Sequence, residues 1–255
     1  MGNRLDFILF LVAVTAVSIA WGRINRIGYS KAIISVARLI MKYVNLNADL
    51  IQSYLVWFVY MLVGLIASIV LLAVYRVNLL RFLALNPRYF PVILVTFVAE
   101  SSLTGLMMQL SLLAKPTIDI FSELTSILWV RYTLMMPGAM RVISPLCAAT
   151  VEEIFFRGAV FLILINRFHQ AGAYWSIFIC TVLFVVQQVL QTDTFGQGLI
   201  FLVGSTSISV VGCISILYTG SFLPALLCHA AYAFVYLQLG TSTPKSKPGP
   251  GYPSF

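Results

Sequence analysis

The sequence predicts an all-α protein, a polytopic bundle of about seven or eight transmembrane helices, and two observations lead there. Of its 255 residues, 60% are hydrophobic and only 9% charged, a balance foreign to water-soluble domains of this length. Apolar runs long enough to cross a hydrocarbon core of roughly 30 Å, which takes about 20 helical residues, recur at 7–21, 51–75, 90–114, 142–165, 172–192, 195–218 and 221–239.

Taken in order, the run at 7–21 ends in Ser18-Ile19-Ala20, a small-x-small pattern found at signal cleavage sites. Followed by so many other spans, it is read as an uncleaved first helix. Beyond it, Arg38 and Lys42 alternate with apolar residues at helical spacing, which predicts an amphipathic helix over 31–45 lying on the membrane surface. The stretch 115–141 carries Asp119, Glu123 and Arg131 and is either an interfacial helix or an eighth span. The tail 241–255 is rich in Pro and Gly and is expected to be disordered. Neither end carries a recognisable lipidation signal.

The net charge of +8 does not call for nucleic acid, because the basic residues cluster in loops, where such clusters mark the cytoplasmic side. The loop charges favour an external N-terminus, a cytoplasmic C-terminus and a bacterial plasma membrane. Cys147, Cys180, Cys213 and Cys228 all fall inside predicted spans, as small packing residues do, and imply no disulfide framework. Cys228 and His229 are neighbours on a helix and so point about 100° apart.

Ionisable residues inside spans cost at least about 2.5–3.5 kcal/mol on insertion scales and are functional candidates for that reason. Here they are Glu100, Glu152, Glu153, Arg157 and His229, joined by the uncharged Gln187, Gln188 and Gln191. Glu153 and Arg157 stand four apart with the acid first, the favoured order for a helical ion pair, so each offsets the other's cost. Glu152 is left without a cation of its own, which suits a carboxylate that takes a proton from water and later returns it. His229 sits among Ala225, Ala230, Ala231 and Ala233, which let another helix approach closely. A neutral imidazole there can donate to a developing oxyanion or bind a water beside Glu152. His169, in a short loop, is read as a solvated interfacial residue.

No H-E-x-x-H and no acid–His pair at helical spacing is present, so neither metal nor other cofactor is expected. Glu100 either meets Ser101 or Ser102 or lines a water path. A lone acid in a span also suits a proton-coupled transporter, but the two-half hydropathy symmetry of that class is missing.

The stretch "VEEIFFRG" (151–158) resembles the E-E-x-x-x-R motif of the CAAX protease and bacteriocin-processing family, intramembrane glutamic proteases related to the type II CAAX prenyl endopeptidases. The resemblance runs over roughly 140–240. It divides the chain into N-terminal transmembrane and amphipathic helices (1–139), a protease-type core (140–240) and the tail (241–255). The family's second motif, F-x-x-x-H, is met by Phe184 and Gln188, with glutamine in place of histidine. Its third is met by His229, with Ala233 in place of asparagine.

The resemblance implies that Glu152 is the base activating water, that Glu153 and Arg157 hold it in place, and that His229 stabilises the oxyanion. The missing histidine would have shared the water, whereas Gln188 can hold a water but cannot accept its proton. An endopeptidase acting on a peptide or lipidated protein in contact with membrane lipid is one expectation. A pseudoprotease that binds such a partner without cutting it is the other, favoured by Gln188 and Ala233.

Overall fold

The computed structural model describes residues 4–28, 30–83, 86–168 and 172–241, and among them every regular element is a helix. The tail beyond Thr241 and the loop residue His169 lie outside the described residues. Five helices are long and apolar enough to cross a membrane: α1 (Arg4–Gly22), α4 (Ala48–Tyr75), α5 (Phe90–Ala114), α10 (Gly172–Val189) and α11 (Phe195–Thr219). Their outer faces expose large apolar side chains such as Ile8, Ile69 and Val95, as helices bathed in lipid do. The chain is an integral membrane protein with an all-helical bundle fold.

The remaining two predicted spans are built differently. The region 142–165 is helical throughout but changes character twice, from α8 (Gly138–Glu153) through a π-helical stretch (Ile154–Phe161) to α9 (Leu162–Arg167). The last predicted span is α12 (Leu223–Thr241), apolar over Leu223–Val235.

Two intervening segments are built from shorter helices. After the short α2 (Ile24–Ile27), residues 31–41 of the expected 31–45 form α3 (Lys31–Met41), opened by Ser30, whose hydroxyl accepts from the Ile33 N–H at 3.3 Å. The stretch 115–141 is no eighth span, because Ile127 is extended and splits it into α6 (Ile120–Ser126) and α7 (Leu128–Met135). At 1.5 Å per residue these reach only about 10 and 12 Å. The acidic residues that made this stretch ambiguous have local tasks. Asp119 caps α6 by accepting from the Phe121 and Ser122 N–H groups, and Glu123 accepts from the Thr194 hydroxyl at the start of α11.

The helical run 138–167 is the axis of the bundle, packed by α4, α10, α11 and α12. Beyond Glu153 its middle is fully buried and, apart from Arg157, apolar, with Phe155, Phe156, Phe161 and Leu162 at 0% exposure, the pattern of a helix enclosed by others. Trp21 of α1 stacks on Phe156 at 5.9 Å, and Phe156 leans on Phe184 of α10 at 5.0 Å.

Gly64 of α4 passes so close to the Trp21 ring and Val151 that a Cβ would overlap both. Gly64→Leu is expected to cost about 1–3 kcal/mol of stability through overpacking. Gly105→Ala, where nothing lies within 4 Å of the added atom, should leave the melting temperature in detergent unchanged. Equal melting of the two variants would contradict this account of the α1–α4–α8 contact.

Candidate active site

The site begins where α8 passes into the π-helical stretch, a wider turn that recurs at functional positions. Glu153 is the last residue of α8 and Arg157 lies one wide turn on. Both are completely buried, with Arg157 Nη1 3.0 Å from Glu153 Oε1. The guanidinium also lies over the Phe184 ring, 4.3 Å from its centroid, which offsets part of its desolvation. Phe184 is the first residue of the altered second motif, and it serves here as a platform beneath a buried cation.

His229 reaches in from α12 and joins both glutamates. Its Nδ1 is 2.8 Å from Glu153 Oε1 and its Nε2 is 3.5 Å from Glu152 Oε2. Because the Glu153 carboxylate is already paired with Arg157, Nδ1–H is assigned as the donor to it. A neutral imidazole held in this way turns the lone pair of Nε2 toward Glu152. Glu153 thus does more than neutralise Arg157, because it also fixes the orientation of the histidine.

Glu152 receives its second partner from a distant part of the chain. The Tyr60 hydroxyl of α4 donates to Glu152 Oε1, and the Tyr60 oxygen accepts from Gln187 Nε2 at 2.7 Å. The backbone of Tyr60 is pinned by the Trp21 indole N–H, 3.0 Å from the Tyr60 carbonyl oxygen. Neither Tyr60 nor Trp21 belongs to the motifs. The signal in the sequence was a tyrosine in the middle of an apolar span, where a phenol needs a hydrogen-bond partner.

Glu152, His229, Gln188 and Tyr60 line one end of a cavity of about 130 Å³, room for a few waters, and Ala233 lines it as well. Its other walls are mostly apolar and include Trp57, Ile127, Trp129, Met136 and Phe201. Along one side stands a row of carboxamides. Gln191 Nε2 is 3.4 Å from Gln188 Oε1, and Asn25 Nδ2 donates to Gln191 Oε1 at 2.7 Å.

Glu152, Glu153, Arg157, Gln188 and His229, five residues singled out in the sequence, therefore stand together. Gln187 and Gln191 take supporting places around them. Glu100 of α5 is fully buried but neither oxygen hydrogen-bonds within the described residues, so the contact expected with Ser101 or Ser102 is not made. It does not line the cavity either. Cys228 turns its thiol toward the Ile93 carbonyl oxygen of α5, at 3.3 Å, and leaves the glutamates to its neighbour His229.

The fold and these contacts define an integral membrane protein whose buried glutamate–histidine centre faces a partly open, largely apolar cavity. Residues 134–235 match the family described as Type II CAAX prenyl endopeptidase Rce1-like, in line with the motifs at Glu152, Glu153, Arg157 and His229. The match points to a membrane protease of CAAX type. It takes in α8, α10, α11 and the apolar part of α12, while α1 and α4, which supply Trp21 and Tyr60, lie outside it. No curated protein and no solved structure matches the chain.

Proposed function

We propose that the chain is a metal-independent intramembrane glutamic endopeptidase acting on a peptide or lipidated protein. The observation that carries this reading is the 3.5 Å gap between His229 Nε2 and Glu152 Oε2 at the cavity. At 3.5 Å the two atoms make no good direct hydrogen bond, and both belong to residues lining the cavity, from which a water can rest against them. Such a water donates to the carboxylate, with Nε2 beside it, and points a lone pair into the cavity.

Attack on a substrate carbonyl then forms the new C–O bond as Glu152 takes the water's proton. Glu152 returns the proton to the departing amine as the C–N bond breaks. Between the water-binding and oxyanion roles open to His229, the assigned tautomer favours the first. The apolar walls suit a substrate that brings a lipid or apolar side chains, and the loop charges favour a bacterial plasma membrane.

The second reading, a pseudoprotease that binds without cutting, is favoured by Gln188 and Ala233, because both altered positions face the cavity. A comparison of peptide termini by mass spectrometry separates the two, using membranes with matched levels of wild type and Glu152→Gln. Termini present only with the wild type support proteolysis and name the substrate, and identical profiles leave the pseudoprotease. Gln188→His is expected to raise turnover about tenfold by placing a second base near the water. Unchanged or lower turnover would mean that the glutamine already suits this site.

A further inference from the structure

The mechanism so far leaves the substrate oxygen without a donor. As the water attacks, the electron pair of the C=O bond moves onto that oxygen, and stabilising this charge is commonly the largest catalytic contribution. His229 Nδ1–H is committed to Glu153, and its Nε2 accepts. Ala233 carries no polar side chain. The remaining hydroxyl donor in contact with Glu152 is that of Tyr60, which lines the same cavity.

We infer that Tyr60 is a catalytic residue, the donor that stabilises the oxyanion formed when Glu152 activates water. Before attack its O–H points to the Glu152 carboxylate. Once Glu152 has taken the proton from water it is a poor acceptor, while the substrate oxygen has gained the charge that the carboxylate lost. The phenol therefore turns from one to the other without transferring its own proton. When the C–N bond breaks, the oxyanion closes to C=O, Glu152 gives up its proton to the amine, and the phenol returns to the carboxylate. The donation thus strengthens in the transition state and is absent in the ground state, the condition for raising kcat without tightening substrate binding.

Two further contacts fit a reacting group better than a packing residue. Gln187 Nε2 donates to the phenol oxygen at 2.7 Å, which steadies electron density there and strengthens the O–H as a donor. The Trp21 indole fixes the Tyr60 backbone, so the ring is set by its own helix while the hydroxyl remains free to rotate. A phenol on α4 would also account for a site that works with alanine at position 233.

The inference rests on the proteolysis reading, so Glu152-dependent cleavage of an internally quenched prenylated CAAX peptide by the full chain in proteoliposomes is established first. If that cleavage is absent, the reading of function fails before Tyr60 is touched. Given cleavage, Tyr60→Phe is expected to lower kcat about 10²-fold, the loss typical of one oxyanion donor, with KM changed less than about twofold.

Fluorotyrosines at position 60 then separate donation from mere positioning, assayed at a pH where the phenol stays protonated. A more acidic phenol binds an oxyanion more strongly, so kcat should rise along the series. If Tyr60 only orients Glu152, the same substitutions make the carboxylate a weaker base and kcat should fall. A Tyr60→Phe variant above half of wild-type kcat, or a kcat that falls or stays flat along the fluorotyrosine series, overturns the inference.

Discussion

Glu153→Ala is expected to remove about 3–5 kcal/mol of stability, the range found when one partner of a buried ion pair is deleted. Arg157 is completely buried and pairs with Glu153 at 3.0 Å. A guanidinium cannot escape burial by losing its proton. The face of Phe184 remains beneath it, but a ring quadrupole offsets only part of a bare charge. The alanine also removes the acceptor for His229 Nδ1, so α12 loses one of its polar ties to α8. With whole-protein stabilities commonly about 5–15 kcal/mol, such a loss should appear as a much lower melting temperature in detergent.

Glu152→Gln is expected to do the reverse, leaving the melt nearly unchanged and lowering kcat by at least about 10²–10⁴. The carboxamide fits the contacts of the carboxylate, since its oxygen can still accept from Tyr60 and its NH₂ can donate to His229 Nε2. It cannot take a proton from water. Adjacent residues of one sequence motif should thus separate cleanly into one that holds the fold and one that does the chemistry. Equal losses of stability from Glu153→Ala and Glu152→Gln would remove that division of labour.

The spans and the motif residues could be read from the chain because they rest on local signals. Hydropathy marks a span within its own 20 residues, and the cost of charge in lipid picks out Glu152, Glu153 and Arg157 without any knowledge of what surrounds them. The pairing of Glu153 with Arg157 was legible for the same reason, as it follows from spacing on one helix. What could not be read is non-local. Nothing in the sequence near Tyr60 says that its hydroxyl meets a carboxylate 92 residues away, and nothing near His229 says that one nitrogen belongs to Glu153 and the other faces Glu152. The π-helical turn after Glu153 was equally hidden, because its residues, apolar apart from Arg157, read as ordinary α-helix. The region 115–141 stayed ambiguous since its charges could cap short helices or interrupt a long one, and the choice depends on Ile127 adopting an extended backbone.

The two oxygens of Glu152 face groups from opposite ends of the chain, Tyr60 on one side and His229 on the other. A polypeptide made only as far as Glu152 therefore carries Tyr60 but still lacks His229, and its glutamate is without one of the two partners that shape its reactivity. If the site is a protease, it is silent until the first helices and the last have docked against the central one, and a cell would be spared the hazard of a partly assembled copy that cuts indiscriminately.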